Sequence, residues 1–240
     1  MCGIVGAVAK RDVTPILIKG LQRLEYRGYD SAGIAVHDAG QTQRVRSVGK
    51  VQSLVDAIAH NPVSGVTGIA HTRWATHGNV TEANAHPHMA GDRISLVHNG
   101  IIENFRVLRE ELIAAGHVFT SDTDSEVIVH LIDSYLTDGV ALLAAVRAAL
   151  QRLEGAFALC VISAAEPERM IVTRLGSPLI IGKGIGENFV ASDVLALRAV
   201  TDRFIYLEEG DLVSLTADTI DAWSVTNQAV VRSDVHVQMG

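Results

Sequence analysis

Cys2 stands directly behind the initiator methionine in Met1-Cys2-Gly3-Ile4-Val5-Gly6. Removing one residue puts a thiol and a free α-amine on the same carbon, a nucleophile that carries its own base. A terminal amine titrates near ~7.7 to 8.0 and a lysine amine near ~10.4, so only the former accepts a proton efficiently at neutral pH. The plainer alternative is a small buried hydrophobe, the usual fate of a free cysteine. The other cysteine, Cys160, lies in the apolar run Ala156-Phe157-Ala158-Leu159-Cys160-Val161-Ile162 and reads as core strand.

Polar residues gather between positions 71 and 104, where strands give way to loops. His71-Thr72-Arg73-Trp74-Ala75-Thr76-His77-Gly78 combines a fork-shaped cation, an indole and small or hydroxyl-bearing positions. This suits a loop that closes on a polar ligand, with Arg73 able to hold a carboxylate bidentately. The competing reading is a surface cation–π pair of Arg73 with Trp74. His98-Asn99-Gly100 follows Ile94-Ser95-Leu96-Val97 and places an amide and an unhindered N–H at a strand end, two donors for a developing oxyanion. Asn-Gly is also the commonest two-residue hairpin turn, but Ile101-Ile102-Glu103-Asn104 leads into a helix instead of a return strand. Asp122-Thr123-Asp124-Ser125-Glu126 reads first as helix capping, with Asp124 as the alternative partner of a ligand ammonium group.

These residues are carried by elements legible in the hydrophobic pattern. Strands are expected at Ile4 to Ala9, Ser31 to His37, Gln43 to Val48, Thr67 to Thr72 and Arg93 to His98. A helix with Pro15 in its first turn follows the first strand, and others are expected over Val51 to Ala59, Phe105 to Ala115, Ser125 to Leu136 and Ala141 to Leu153. From Gly155 the pattern is strand after strand: Phe157 to Ser163, Arg169 to Thr173, Leu179 to Lys183, Asn188 to Ala191, Arg203 to Leu207, Asp211 to Leu215 and Ile220 to Val225. Strands in runs with helices in groups indicate an α+β protein of mostly antiparallel sheets, and residues 1–240 are read as one domain.

Composition bounds the function. Apolar residues make up 48% of the 240 and aromatics only 5%, as in a globular protein with an aliphatic core. A net charge of −7 with scattered basic residues argues against a nucleic-acid partner. The most apolar stretch, Val140 to Leu150, is too short to cross a membrane, no signal core opens the chain, and two cysteines make no disulfide framework, so a cytoplasmic location is expected. His71, His77, His86, His88 and His98 crowd one region, as in a zinc-binding module. They lack a His-Glu-x-x-His helix or paired cysteines, so neither a metal nor another cofactor is expected.

Taken together, Met1 to Gly6, Arg23-Leu24-Glu25-Tyr26-Arg27-Gly28-Tyr29-Asp30-Ser31-Ala32-Gly33, His71 to Gly78, Asn84-Ala85-His86-Pro87-His88, His98 to Asn104 and Thr123 to Glu126 closely resemble the glutaminase domain of the glucosamine-6-phosphate synthase family. The likeness runs to about Ser224. It implies a four-layer α/β/β/α sandwich of the N-terminal-nucleophile hydrolase type, with L-glutamine as substrate. It further implies Cys2 as nucleophile, with its own amine as base, and Asn99 with the Gly100 N–H as oxyanion hole. Arg73 then holds the glutamine carboxylate and Asp124 its ammonium, while Trp74, Thr76, His77 and Gly78 belong to the closing loop. The family carries a sugar-phosphate isomerase domain beyond such a region, the expected partner and a route to homo-oligomers. Two other readings stay open at this point: the glutaminase domain of an amidophosphoribosyltransferase-like enzyme, and a regulatory domain that binds glutamine without hydrolysing it.

Overall fold

A computed structural model of the chain describes residues 1–238. Its elements run β1 (Gly3–Val8), α1 (Thr14–Leu24), β2 (Ser31–Asp38), β3 (Gln41–Val48), α2 (Val51–His60), β4 (Thr67–Arg73), β5 (His88–Ala90), β6 (Ile94–Ile102), α3 (Phe105–Ala114), α4 (Ser125–Tyr135) and α5 (Leu142–Leu150). There follow β7 (Gly155–Ser163), β8 (Met170–Leu175), β9 (Ile180–Lys183), β10 (Asn188–Ala191), β11 (Arg203–Tyr206), β12 (Leu212–Leu215), β13 (Ile220–Trp223), β14 (Ala229–Val230) and β15 (Val235–His236). One sheet has the order β15-β11-β9-β10-β1-β4-β2-β3 and the other β14-β13-β12-β8-β7-β6-β5, with antiparallel neighbours throughout.

Side-chain alternation along a strand accounts for the layers. In β1, Val5 and Ala7 pack on one side with Leu17, Leu21 and Leu24 of α1, while Ile4 and Val8 face the second sheet. In β7, Phe157, Leu159 and Val161 meet α4 and α5, and Ala158, Cys160 and Ile162 face the first sheet. Strands apolar on both faces are therefore covered on both sides, and the four layers that the family resemblance implies are present. Cys160 is fully buried between the sheets, where burial pushes its thiol far above its ordinary range and leaves it inert. Leu17, Leu21 and Leu24 recur on one helix face and are all fully buried. Each contributes about 1.5 to 3 kcal/mol of hydrophobic stabilisation.

Two of the differences from the sequence reading shape the site. The strand expected to stop at His98 continues as β6 through Asn99 and Gly100, which pair with Ala158 and Phe157 of β7. Gly100 has φ +120°, and a Cβ there would lie 2.1 Å from the Ala156 carbonyl oxygen, so glycine continues the strand where another residue clashes. The Asn-Gly hairpin alternative is thereby excluded. The second feature is β5, unforeseen because three residues carry no readable alternation. It pairs with Ile94 to Leu96, and among the described residues the rest of that edge of β6 has no strand partner.

Candidate active site

The cleft forms where the head of β1 meets the middle of β6. Gly3 pairs with Thr72 and Ile4 with His71, so Cys2 comes to lie beside the residues that follow β4. The Trp74 N–H donates to the Cys2 sulfur at 3.1 Å, and the thiol contacts the Trp74 carbonyl at 3.4 Å. Across the sheet interface, Asn99 Nδ2 donates to the Cys2 carbonyl at 3.2 Å. Burial raises the thiol above its ordinary pKa, aided by Asp30 and opposed by the Trp74 N–H, the N-terminal amine and Arg73. The sulfur is thus held as a thiol that needs a base. The Met1 amine, bonded to the Arg27 carbonyl at 3.2 Å, is attached one residue too early to supply it from the same carbon.

A cavity of about 290 Å³ gathers Cys2, Arg73, Trp74, Thr76, His77, Asn99, Gly100 and Asp124, along with Arg27, His86, His98, Ser125, Ser177 and Ser192. Gly78 is the one expected site residue outside the cavity wall. Its φ of +78° turns the loop, and its carbonyl accepts from Arg73 at 3.5 Å. The buried Arg73 guanidinium also donates to the carbonyls of Asn79, at 3.1 Å, and His77, and lies 3.8 Å from Asp30. Asp30 in turn accepts from Ala75 N–H at 2.5 Å and donates its own N–H to the Arg73 carbonyl at 2.7 Å. Arg73 and Asp30 therefore shape the 73–79 loop from below. Sequence reasoning did not single out Asp30; its signal is the β2–β4 register, which sets Ser31 opposite Arg73. The surface cation–π alternative fails, since Arg73 is buried and the half-exposed Trp74 ring lies over Gly28.

Asp124 corrects a reading. It stands at the N-terminus of α4 yet makes no side-chain cap bond. Thr123 Oγ1 accepts from the Glu126 N–H at 3.3 Å, and the Glu126 carboxylate accepts from the Thr120 and Ser121 N–H groups at 2.8 and 2.7 Å. Thr123 thus takes one first-turn N–H of α4 and Glu126 braces the preceding turn, while the buried Asp124 accepts from Ile102 N–H at 2.8 Å and directs its other oxygen to His77, 3.7 Å away. Glu126 is held down at about 2 by hydrogen bonds from His130, Ser121 and Thr120, which overcome its burial.

The histidines converge without forming a ligand set. His71 and His86 stack at 4.0 Å, and His86 meets His88 edge-on at 4.6 Å. His86 Nδ1 accepts from the His98 N–H at 3.3 Å, His88 Nε2 bonds Thr123 at 3.1 Å, and His98 Nδ1 bonds Ser125 at 2.7 Å. These contacts lie within the wall, the His71 Nδ1 atom has no hydrogen-bond partner among the described residues, and no three His, Cys, Asp or Glu side chains there are grouped as metal ligands. Burial holds His71 and His88 down at about 3, so the wall is uncharged at neutral pH.

Two antiparallel sheets face to face, helices on both outer surfaces and a cysteine at the head of an inner strand define the N-terminal-nucleophile hydrolase type of amidotransferase fold. A family model described as a glutamine amidotransferase domain matches residues 71–199, and the chain belongs to the glutamine amidotransferase family. It is 58% identical to glutamine--fructose-6-phosphate aminotransferase [isomerizing] of Pseudomonas aeruginosa, over all of this chain and 39% of that protein. Identity to the Idiomarina loihiensis protein of the same name is 59%, over all of this chain and 40% of the relative. The chain thus spans about two fifths of the length of these curated relatives. Among solved structures, glutamine phosphoribosylpyrophosphate amidotransferase from B. subtilis, complexed with ADP and GMP, superposes with a TM-score of 0.80 at 25% identity, covering 93% of this chain and 49% of that one. A glutamine aminotransferase class-II domain protein from Silicibacter pomeroyi, at 17% identity and a TM-score of 0.63 over 93% of this chain and 99% of that one, shares the fold. No helix among the described residues is long and apolar enough to cross a membrane.

Proposed function

We propose that this chain hydrolyses L-glutamine to L-glutamate and ammonia through a γ-glutamyl thioester on Cys2, once Met1 is removed. The observation that carries the reading is the Cys2 sulfur sharing one cleft with the Asn99 amide, the Arg73 guanidinium and the Asp124 carboxylate. Glutamine is a zwitterion with a neutral amide at its far end. It needs a cation and an anion at one end, and a nucleophile with two donors at the other.

The α-amine takes the thiol proton as sulfur bonds to the amide carbon. The oxyanion that forms accepts from Asn99 Nδ2 and the Gly100 N–H. Alternation along β6 supports the second donor: the N–H groups of His98 and Ile102 turn to the edge away from β7, and Gly100 lies between them in the same phase. Collapse breaks the carbon–nitrogen bond, and the ammonium returns its proton to the departing ammonia. Water, deprotonated by the same amine, then attacks the thioester and regenerates the thiol with release of glutamate. Arg73 and Asp124 hold the carboxylate and ammonium of the substrate, under a loop formed by Trp74, Thr76, His77 and Gly78.

The longer protein would deliver this ammonia to fructose 6-phosphate, through a sugar-phosphate isomerase domain that can also carry self-association. A phosphoribosyl acceptor is the weaker reading, with 25% identity against 58% for the hexosamine relatives. A glutamine-binding module without catalysis has no use for a thiol in the cleft. The test is ammonia release by wild type and Cys2→Ala, with intact mass to establish loss of Met1. Loss of at least about 10³-fold is expected when the nucleophile is removed. Equal release by both proteins would overturn the mechanism.

A further inference from the structure

We propose that His71 is a positioning residue that fixes the Asn99 side chain with its amide nitrogen toward the reacting carbon. The inference rests on the oxyanion role proposed above for Asn99. His71 belongs to β4 of the first sheet, yet its ring crosses to the second sheet, where Nε2 lies 2.9 Å from Asn99 Oδ1 and 3.1 Å from the His98 carbonyl oxygen. Both partners are oxygen acceptors without a hydrogen of their own, so Nε2 carries the proton and donates. Nδ1 is then the nitrogen with the lone pair, and it is buried without a partner.

Neither feature can relax. The ring is fully buried and stacks on His86 at 4.0 Å with 16° between planes, which blocks reorientation. Burial also keeps it neutral, so it does not place a second cation beside Arg73.

The consequence falls on Asn99. The two ends of a carboxamide have nearly the same shape, and which one faces the cleft depends on the partner behind it. With Oδ1 held by His71, Nδ2 points to the Cys2 carbonyl at 3.2 Å, the side on which negative charge develops. A flipped amide would present an oxygen lone pair to that charge, turning a stabilising donor into a repulsive acceptor. Preorganisation of this kind affects the transition state more than ground-state binding, so it should be read in kcat and not in KM.

The experiment compares ammonia release by the Met1-processed chain carrying His71→Leu, His71→Gln, Asn99→Ala and the double substitution His71→Leu/Asn99→Ala. His71→Leu removes the donor and is expected to lower kcat by about 10- to 10²-fold with KM within about twofold, bounded by the loss of the Asn99 donor itself. Glutamine can place an N–H near the Nε2 position, so His71→Gln should recover most of the loss. The double variant should be no slower than Asn99→Ala alone, because the residues act through one hydrogen bond. Losses that multiply, or full turnover in His71→Leu while Asn99→Ala is crippled, would overturn the positioning role and leave the oxyanion reading intact. Near-normal turnover of Asn99→Ala would instead remove the oxyanion reading and this inference with it. Independently of whether any variant folds, the imidazole 15N spectrum of labelled wild type should show His71 protonated on Nε2. Protonation on Nδ1 would refute the inference.

Discussion

Two of the clefts among the described residues differ in what their polar groups are doing. The second, about 530 Å³, has an apolar floor that includes Ile181, Ile205, Leu207, Val213 and Ile220, under a rim of Lys183, Asp218, Arg232 and Asp234. Its rim charges are paired: Asp218 with Lys10 at 2.9 Å, Asp234 with Arg203 at 2.7 Å and Lys183 at 3.8 Å, and Arg232 with the buried Asp211 at 2.8 Å. In the first cleft, about 290 Å³ in volume, the Cys2 thiol is hydrogen-bonded by main-chain groups of Trp74, and Asp124 lines the space with one oxygen toward His77. The smaller cavity gathers the side chains of the proposed reaction, whereas the rim charges of the larger one are spent in ion pairs. Volume alone would have chosen the other one.

That contrast can be broken most severely at Asn99. Asn99→Ala should reduce glutamine turnover about 10²- to 10³-fold with the melting temperature nearly unchanged, since the residue lies at the cleft and not in a core cluster. A large loss of stability instead would make Asn99 structural. The second cleft should respond in the opposite sense. Arg232→Ala strips the Asp211 carboxylate of two hydrogen bonds, leaving it the Glu208 N–H at 2.8 Å. The expected cost is about 2 to 3 kcal/mol in a urea titration, with turnover within about twofold of wild type.

Asp124→Asn sharpens the comparison within the first cleft. Asparagine keeps an acceptor for the Ile102 N–H but loses the charge facing a substrate ammonium, so KM should rise about tenfold while kcat changes less. Unaltered KM would detach Asp124 from substrate binding.

The smallest effect concerns the histidine wall. His71 and His88 titrate at about 3 in the fold against 6.5 ordinarily, so the unfolded chain binds more protons between those values. Their stabilisation is complete above about pH 6.5 and is lost as pH falls from there toward 3. Glu126, depressed to about 2 from 4.5, adds its own loss only below about pH 4.5. Lowering the pH from 7.5 to 6 should cost somewhat under ~1 kcal/mol per buried histidine. Melting curves that do not move over that range would contradict the neutral wall.

Much of this was legible in the chain, and the parts that were not share a cause. Periodicity pointed to antiparallel sheets with helices in groups, while the four-layer order came with the family resemblance and fits strands such as Gly155–Ser163, which are covered on both faces. Cys2, Asn99, Gly100, Arg73, Trp74, Thr76, His77 and Asp124 were recognisable as types and meet in one cavity. What local sequence could not convey was pairing across distance. Asn99-Gly100 reads as a turn or a strand end until Ala158 and Phe157 are known to lie opposite. Asp124 reads as a cap until its carboxylate is found on the Ile102 N–H instead. His71 reads as one more histidine until its ring is found on the far sheet, 28 residues along the chain from its amide partner.

The brevity of β5 has a further bearing, on solubility. A sheet margin with unpaired ladder positions ordinarily invites a strand from another molecule, the first step of aggregation. Here the unpaired stretch of β6 is already occupied at alternate positions, by the His86 ring on one N–H and the Asp124 carboxylate on another. An intruding strand meets side chains where it needs main-chain partners.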